Sequence, residues 1–85
     1  MEIGNNITVH QNGLTYTKYL SGTIDLISDR AVKIKVFGTN GFIWLPKAAL
    51  KQDSNLSELY KIMHWFKFDE KTQFFFDRYS SVYSK

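Results

Sequence analysis

The feature that most constrains the fold is a run of alternating residues from Gly22 to Leu50, Gly-Thr-Ile-Asp-Leu-Ile-Ser-Asp-Arg-Ala-Val-Lys-Ile-Lys-Val-Phe-Gly-Thr-Asn-Gly-Phe-Ile-Trp-Leu-Pro-Lys-Ala-Ala-Leu. Side chains on a strand point alternately to two faces, so the run can be sorted without coordinates. Ile24, Leu26, Val32, Ile34, Val36, Ile43 and Leu45 fall on one face. Asp25, Lys33, Lys35, Phe37, Phe42 and Trp44 fall on the other. The first set reads as core. The second mixes cations with large rings, and it is the feature of this chain that points to a partner.

The turns set the register of this meander. A two-residue turn at Asp29-Arg30 would place Leu26 opposite Lys33 and mix core with solvent. A three-residue loop, Ser28-Asp29-Arg30, pairs Leu26 with Val32, Ile24 with Ile34 and Asp25 with Lys33. Because a slip of one residue inverts both faces, the second register is expected. The next hairpin turns within Gly38-Thr39-Asn40-Gly41, where Asn-Gly signals a type I′ turn, and a tip at Thr39-Asn40 or at Asn40-Gly41 leaves Phe42 and Trp44 on the face of Lys35 and Phe37. Pro46 ends the strand because it cannot donate to a ladder. Lys47-Ala48-Ala49-Leu50 reads as one helical turn.

Around this meander, Ile7–His10 reads as a short first strand and Leu14–Leu20 as a second, separated by the turn residues Gln11-Asn12-Gly13. Asn55-Leu56-Ser57-Glu58 has the form of a capping box, and Leu56, Leu59, Tyr60 and Met63 follow at helical spacing. The expectation is a helix over about 56–65. Phe66-Lys67-Phe68 and Gln73-Phe74-Phe75-Phe76 flank a polar turn and predict a C-terminal hairpin, because Phe favours strands. The alternative is a helix capped by Asp69 or Thr72. Residues 80–85 read as a frayed tail. The fold class expected is α+β, mostly β, as a small SH3-like antiparallel barrel or curled meander in one domain spanning 1–85.

Gly41-Phe42-Ile43-Trp44-Leu45-Pro46-Lys47-Ala48-Ala49-Leu50 resembles a pattern in small phage and prophage proteins. In those proteins a strand-turn-strand ends in a Trp-aliphatic-Pro-Lys motif followed by a short apolar turn. The stretch is also similar to the end of SH3-type domains, where an aliphatic-Pro dipeptide opens a one-turn helix. The likeness covers about a third of the chain, roughly Gly22 to Leu50. Where such phage proteins have Ser after the Lys, this chain has Ala48. The resemblance implies a mobile-element origin and a barrel-like core, and it brings no catalytic residues. The acidic loop and paired tyrosines of an SH3 peptide groove have no counterpart here.

A chain of 85 residues without cysteine has neither a disulfide framework nor a thiolate zinc site to supplement its core. No apolar run approaches the length that spans a bilayer. Met1–Asn6 lacks the basic and then apolar order of a signal peptide, so a cytoplasmic protein is expected. His10 and His64 have no second His or Cys at ligand spacing, and there is no nucleophile elbow or phosphate loop. No catalytic residue, metal or cofactor is therefore expected.

Two binding functions remain. The first is a protein-binding module, such as a phage product that occludes a host or defence enzyme, or a homodimer formed through the aromatic C-terminal half. Its candidate residues are Tyr60, Trp65, Phe75, Arg78 and Tyr79, of the types enriched at interface centres. The second is a single-stranded nucleic-acid module using Lys33, Lys35, Phe37, Phe42 and Trp44 as a stacking and phosphate platform. The choice turns on whether the helix or the C-terminal phenylalanines cover the basic-aromatic face. Burial of that face is expected, and the modest net charge of +3 agrees with it, so protein binding is the expectation.

Overall fold

The alternating run forms the strands it predicts, and most of the chain joins them in one curled sheet. The computed structural model describes residues 1–53 and 58–84. The elements are β1 (Asn6–Asn12), β2 (Tyr16–Ile27), β3 (Ala31–Val36), β4 (Phe42–Pro46), a 3₁₀ turn (Lys47–Ala49), β5 (Leu50–Gln52), β6 (Leu59–Ile62), α1 (Glu70–Arg78) and β7 (Ser81–Ser84). The sheet order is β4-β3-β2-β1-β6-β5, and β7 pairs with β2. All pairings are antiparallel except β1 with β6, so the sheet is mixed rather than antiparallel throughout. Its inner face packs Ile7, Val9, Leu20, Ile24, Val32, Ile34, Val36, Ile43, Leu45 and Ile62 with Phe75 and Phe76 of α1. Burial of aliphatic and aromatic side chains of this size stabilises by about 1.5–3 kcal/mol each before chain entropy is counted. No helix among the described residues is long and apolar enough to cross a membrane.

The β2–β3 register differs from expectation in an instructive way. Ile24 faces Ile34, as predicted, but Leu26 faces Lys33 and Ile27 faces Val32. The turn is the short one rejected on sequence grounds: Ser28 N–H donates to Ala31 O, leaving Asp29-Arg30 at the tip. A β-bulge between Ile24 and Leu26 absorbs the mismatch. Ile27 thereby takes the inward place assigned to Leu26, which is 44% exposed. Asp25 still reaches Lys33, at 3.6 Å.

The next turn also departs from the Asn-Gly expectation. Thr39 N–H donates to Val36 O, and the positive φ of 79° falls on Gly38, as a type II turn requires at its third residue. Gly41 is not in the left-handed region. A Cβ there would collide with the ring of Phe75, so the glycine makes room for α1.

Three expectations for the C-terminal half are corrected. The helix over 56–65 is not formed: Leu59–Ile62 is β6, paired in parallel with β1, and His64 and Trp65 lie in a turn. The first residues of the proposed capping box, Asn55 to Ser57, lie outside the described residues. The hairpin over 66–79 is replaced by α1, whose cap is Asp69, accepting from the Thr72 N–H at 2.7 Å. Thr72, Phe75 and Phe76 recur at helical spacing on its buried side, Glu70 and Arg78 suit the two ends of its dipole, and Phe68 stacks on Phe76 at 4.7 Å. Within the tail expected to fray, Ser81–Ser84 form β7 and pair with Tyr16–Tyr19.

Candidate functional site

On the outer face of β3 and β4 the side chains are those left over when the inner face takes the aliphatics. Lys33 and Lys35 alternate with buried Val32, Ile34 and Val36, and Phe42 and Trp44 alternate with buried Ile43 and Leu45. Cross-strand pairing sets Lys33 beside Trp44 and Lys35 beside Phe42. The Lys33 ammonium lies 4.1 Å from the centre of the Phe42 ring and 6.0 Å from that of Trp44, a cation–π arrangement that stiffens both partners. Phe37 sits at the β3–β4 turn with its ring outward.

This face is open. Phe75 of α1 packs under Gly41, on the inner side of β4, so the helix does not cover the outer rings. Phe37 is 49% exposed and Trp44 is 46% exposed. The expected second core layer is therefore not built on these residues. Lys35 is exposed and makes no ion pair among the described residues. Beside it, Thr23, Phe37, Thr39 and Asn40 line a shallow hollow at the end of β3. The arrangement can stack flat apolar rings and hold anions at their edge. It offers no nucleophile with a base to activate it.

The C-terminal candidates do not form one surface. Phe75 is only 6% exposed and belongs to the core, and Tyr60 is half-buried against that core. Trp65 is 53% exposed and packs edge-on against Phe66. On α1, Arg78 places its guanidinium 5.4 Å from the centre of the Phe74 ring, and Phe74 contacts Tyr79 at 6.2 Å, all three exposed. Phe74 was not singled out in the sequence, because the hairpin expectation gave it no outward helical position.

Sequence reasoning also missed the cluster around His10. This residue is buried on the outer side of β1, donates from Nε2 to Asp53 Oδ2 at 2.8 Å, and stacks at a tilt on Tyr19. Its Nδ1 lies 3.3 Å from Asn12 Oδ1, and that oxygen accepts from Thr17 Oγ1. With both ring nitrogens engaged and the ring enclosed, His10 ties β1 to the end of β5. Among the described residues no group of three His, Cys, Asp or Glu side chains converges as a metal site would require. Two carboxyls have lowered pKa values. Asp69 is held down first by the Thr72 N–H, and Asp77 first by Gln73 and then by Lys18. Both are fixtures of α1 and lie away from the open face.

No protein-family model, curated protein or solved structure matches the chain.

Proposed function

We propose that this protein is a non-enzymatic binding module that takes single-stranded nucleic acid on the outer face of β3 and β4. The observation that carries the reading is the exposure of Phe37 and Trp44 beside Lys33 and Lys35, on the side of the sheet that α1 leaves uncovered. Exposed rings on a sheet stack bases, and adjacent lysines hold the phosphates between them. The modest net charge of +3 gives a binder of moderate affinity. Kinship with SH3-like barrels belongs to this proposal, supported by the strand, 3₁₀ turn and strand around Pro46–Ala49, and a mobile-element origin is proposed from the sequence resemblance alone. A cytoplasmic location goes with it.

Fluorescence anisotropy with labelled single-stranded and duplex oligonucleotides tests the reading. Single strands should bind more tightly than duplex, with a log–log salt slope of about −0.7 per phosphate contact. Trp44→Ala should weaken binding by about 1–3 kcal/mol while leaving the melting temperature nearly unchanged. No binding by the wild type, or a Trp44→Ala protein that binds as the wild type does, removes the proposal.

A protein partner is the second reading, favoured by the exposed Phe74, Arg78 and Tyr79 on α1. Aromatic rings with a stacked arginine are the composition of interface centres. A partner captured from bacterial lysate that survives nuclease, and is lost on Phe74→Ala, would place function there.

A further inference from the structure

The pairing of β5 with β6 sets Lys51 directly opposite Lys61, and both side chains are exposed. Like charges in directly opposed positions destabilise a sheet. No ion pair among the described residues relieves either ammonium. Asp53, the carboxylate just beyond Lys51, is taken up by His10. Glu58, the other carboxylate of the β5–β6 connection, lines a hollow with Asn6, Ile7 and Ile24 and makes no ion pair with either lysine. An anion seated between the two lysines would remove their repulsion and gain charge-assisted hydrogen bonds.

The pair shares its face with the rings. Lys61 is in register with His10 of β1, and His10 with Tyr19 of β2, all pointing away from the core formed by Val9, Leu20 and Ile62. Lys35 of β3 is in register with Thr23. Followed over the curved surface of the sheet, strand spacing and rise put Lys35 and Lys61 about 14 Å apart across the strands and about 13 Å apart along them. Between them, on the diagonal, the hydroxyls of Ser21 and Thr8 meet at 2.8 Å. This middle ground is small, polar and without charge.

We propose that a single-stranded nucleic acid crosses this face diagonally, its bases stacked at Trp44 and Phe37 and its phosphate backbone held at a second anchor, Lys51 and Lys61. The inference rests on the nucleic-acid reading above and extends it by a length and a direction. The ligand must span the diagonal from Lys35 to Lys61 and reach one strand further to Trp44, a site of at least about four nucleotides, at the short end for small sheet and barrel modules.

Anisotropy on the full chain with oligothymidylates of two, four, six and eight nucleotides tests it, alongside the double variant Lys51→Gln/Lys61→Gln and a polyglutamate peptide as competitor. Wild-type affinity should climb with length and then level off. The double variant should bind the dinucleotide as the wild type does, bind the longer strands about tenfold more weakly, and show a salt slope shallower by about 1.4. Its melting temperature should hold or rise, because a repulsion is gone. If the variant matches the wild type at every length, or loses the same factor on the dinucleotide, the second anchor is wrong while the reading of Trp44 stands. If the wild type binds polyglutamate and no oligonucleotide, both fall.

Discussion

Across the β2 bulge the Asp25 carboxylate stands 3.6 Å from the Lys33 ammonium, which lies 4.1 Å from the centre of the Phe42 ring. Asp25 therefore competes with any phosphate for the lysine nearest the exposed rings. The pair is partly solvated, so its contribution to stability is under about 1 kcal/mol. Asp25→Asn should free Lys33 and remove a repelling charge, tightening oligonucleotide binding a few-fold at low salt with little change in melting temperature. Binding assays across a salt series check this. A variant that binds more weakly would mean that Asp25 positions Lys33 rather than restrains it.

Gly41 and Phe75 are coupled through shared space, since the ring occupies the position of any side chain at residue 41. Gly41→Ala should cost about 1–3 kcal/mol by overpacking. Phe75→Ala should cost about 3–5 kcal/mol by leaving a cavity. The double variant should be clearly more stable than the two costs combined imply, because each change relieves the other. Urea unfolding of the four proteins reads the coupling, and strict additivity would show that α1 does not bear on this turn.

How much of this was legible follows from the range of the interactions. The faces of β3 and β4 could be read because alternation is local and every second residue is aliphatic. Leu26 was misassigned because a bulge shifts the period by one without altering composition, and Asp25 gives no sign of it. Leu59–Ile62 reads as helix because Leu56, Leu59, Tyr60 and Met63 fit the helical period, whereas the strand turns only Tyr60 and Ile62 inward, too short an alternation to stand out. Its partner, β1, lies some fifty residues earlier in the chain and pairs in parallel. The Asp69 cap is an alternative the sequence leaves open, but three phenylalanines in a row favour a strand. Packing decides otherwise, because Phe75 and Phe76 fill the open side of the curled sheet. The Lys51–Lys61 pair had no sequence signal. Ten residues separate the two lysines, and only the β5–β6 register brings them together.

The last strand is predicted to be the least stable part of the sheet. All of β7 is exposed, and it is fastened by its ladder to Tyr16–Tyr19 and by the Tyr83 ring set edge-on to Tyr19 at 5.5 Å. Such a ring pair adds about 0.5–1.5 kcal/mol beyond its area. A chain ending at Ser80 should still fold, with amide exchange accelerated in the first half of β2 and unchanged in β3 and β4. Failure of the shortened chain to fold would show that β7 is required for the fold itself.

Asp69 links the stability of α1 to pH. The Thr72 N–H, more than the Thr72 side chain or the nearby charge of Lys71, holds its carboxyl below the ordinary value. A depressed folded value means that the unfolded chain takes up the proton first. The stabilisation is therefore complete above the ordinary carboxylate range, near 4, and is lost as pH falls through the lowered folded value. At neutral pH Asp69→Ala should cost about 0.5–2 kcal/mol, the worth of an N-cap. Asp69→Asn keeps an acceptor but cannot titrate, so its deficit should be smaller at pH 7 and should shrink in acid. Asp77 titrates in the same direction, so the informative quantity is the difference between wild type and each variant. Urea unfolding at pH 7 and in acid measures it. A gap between wild type and Asp69→Ala that does not narrow in acid would show that the charge on this cap contributes nothing to the helix.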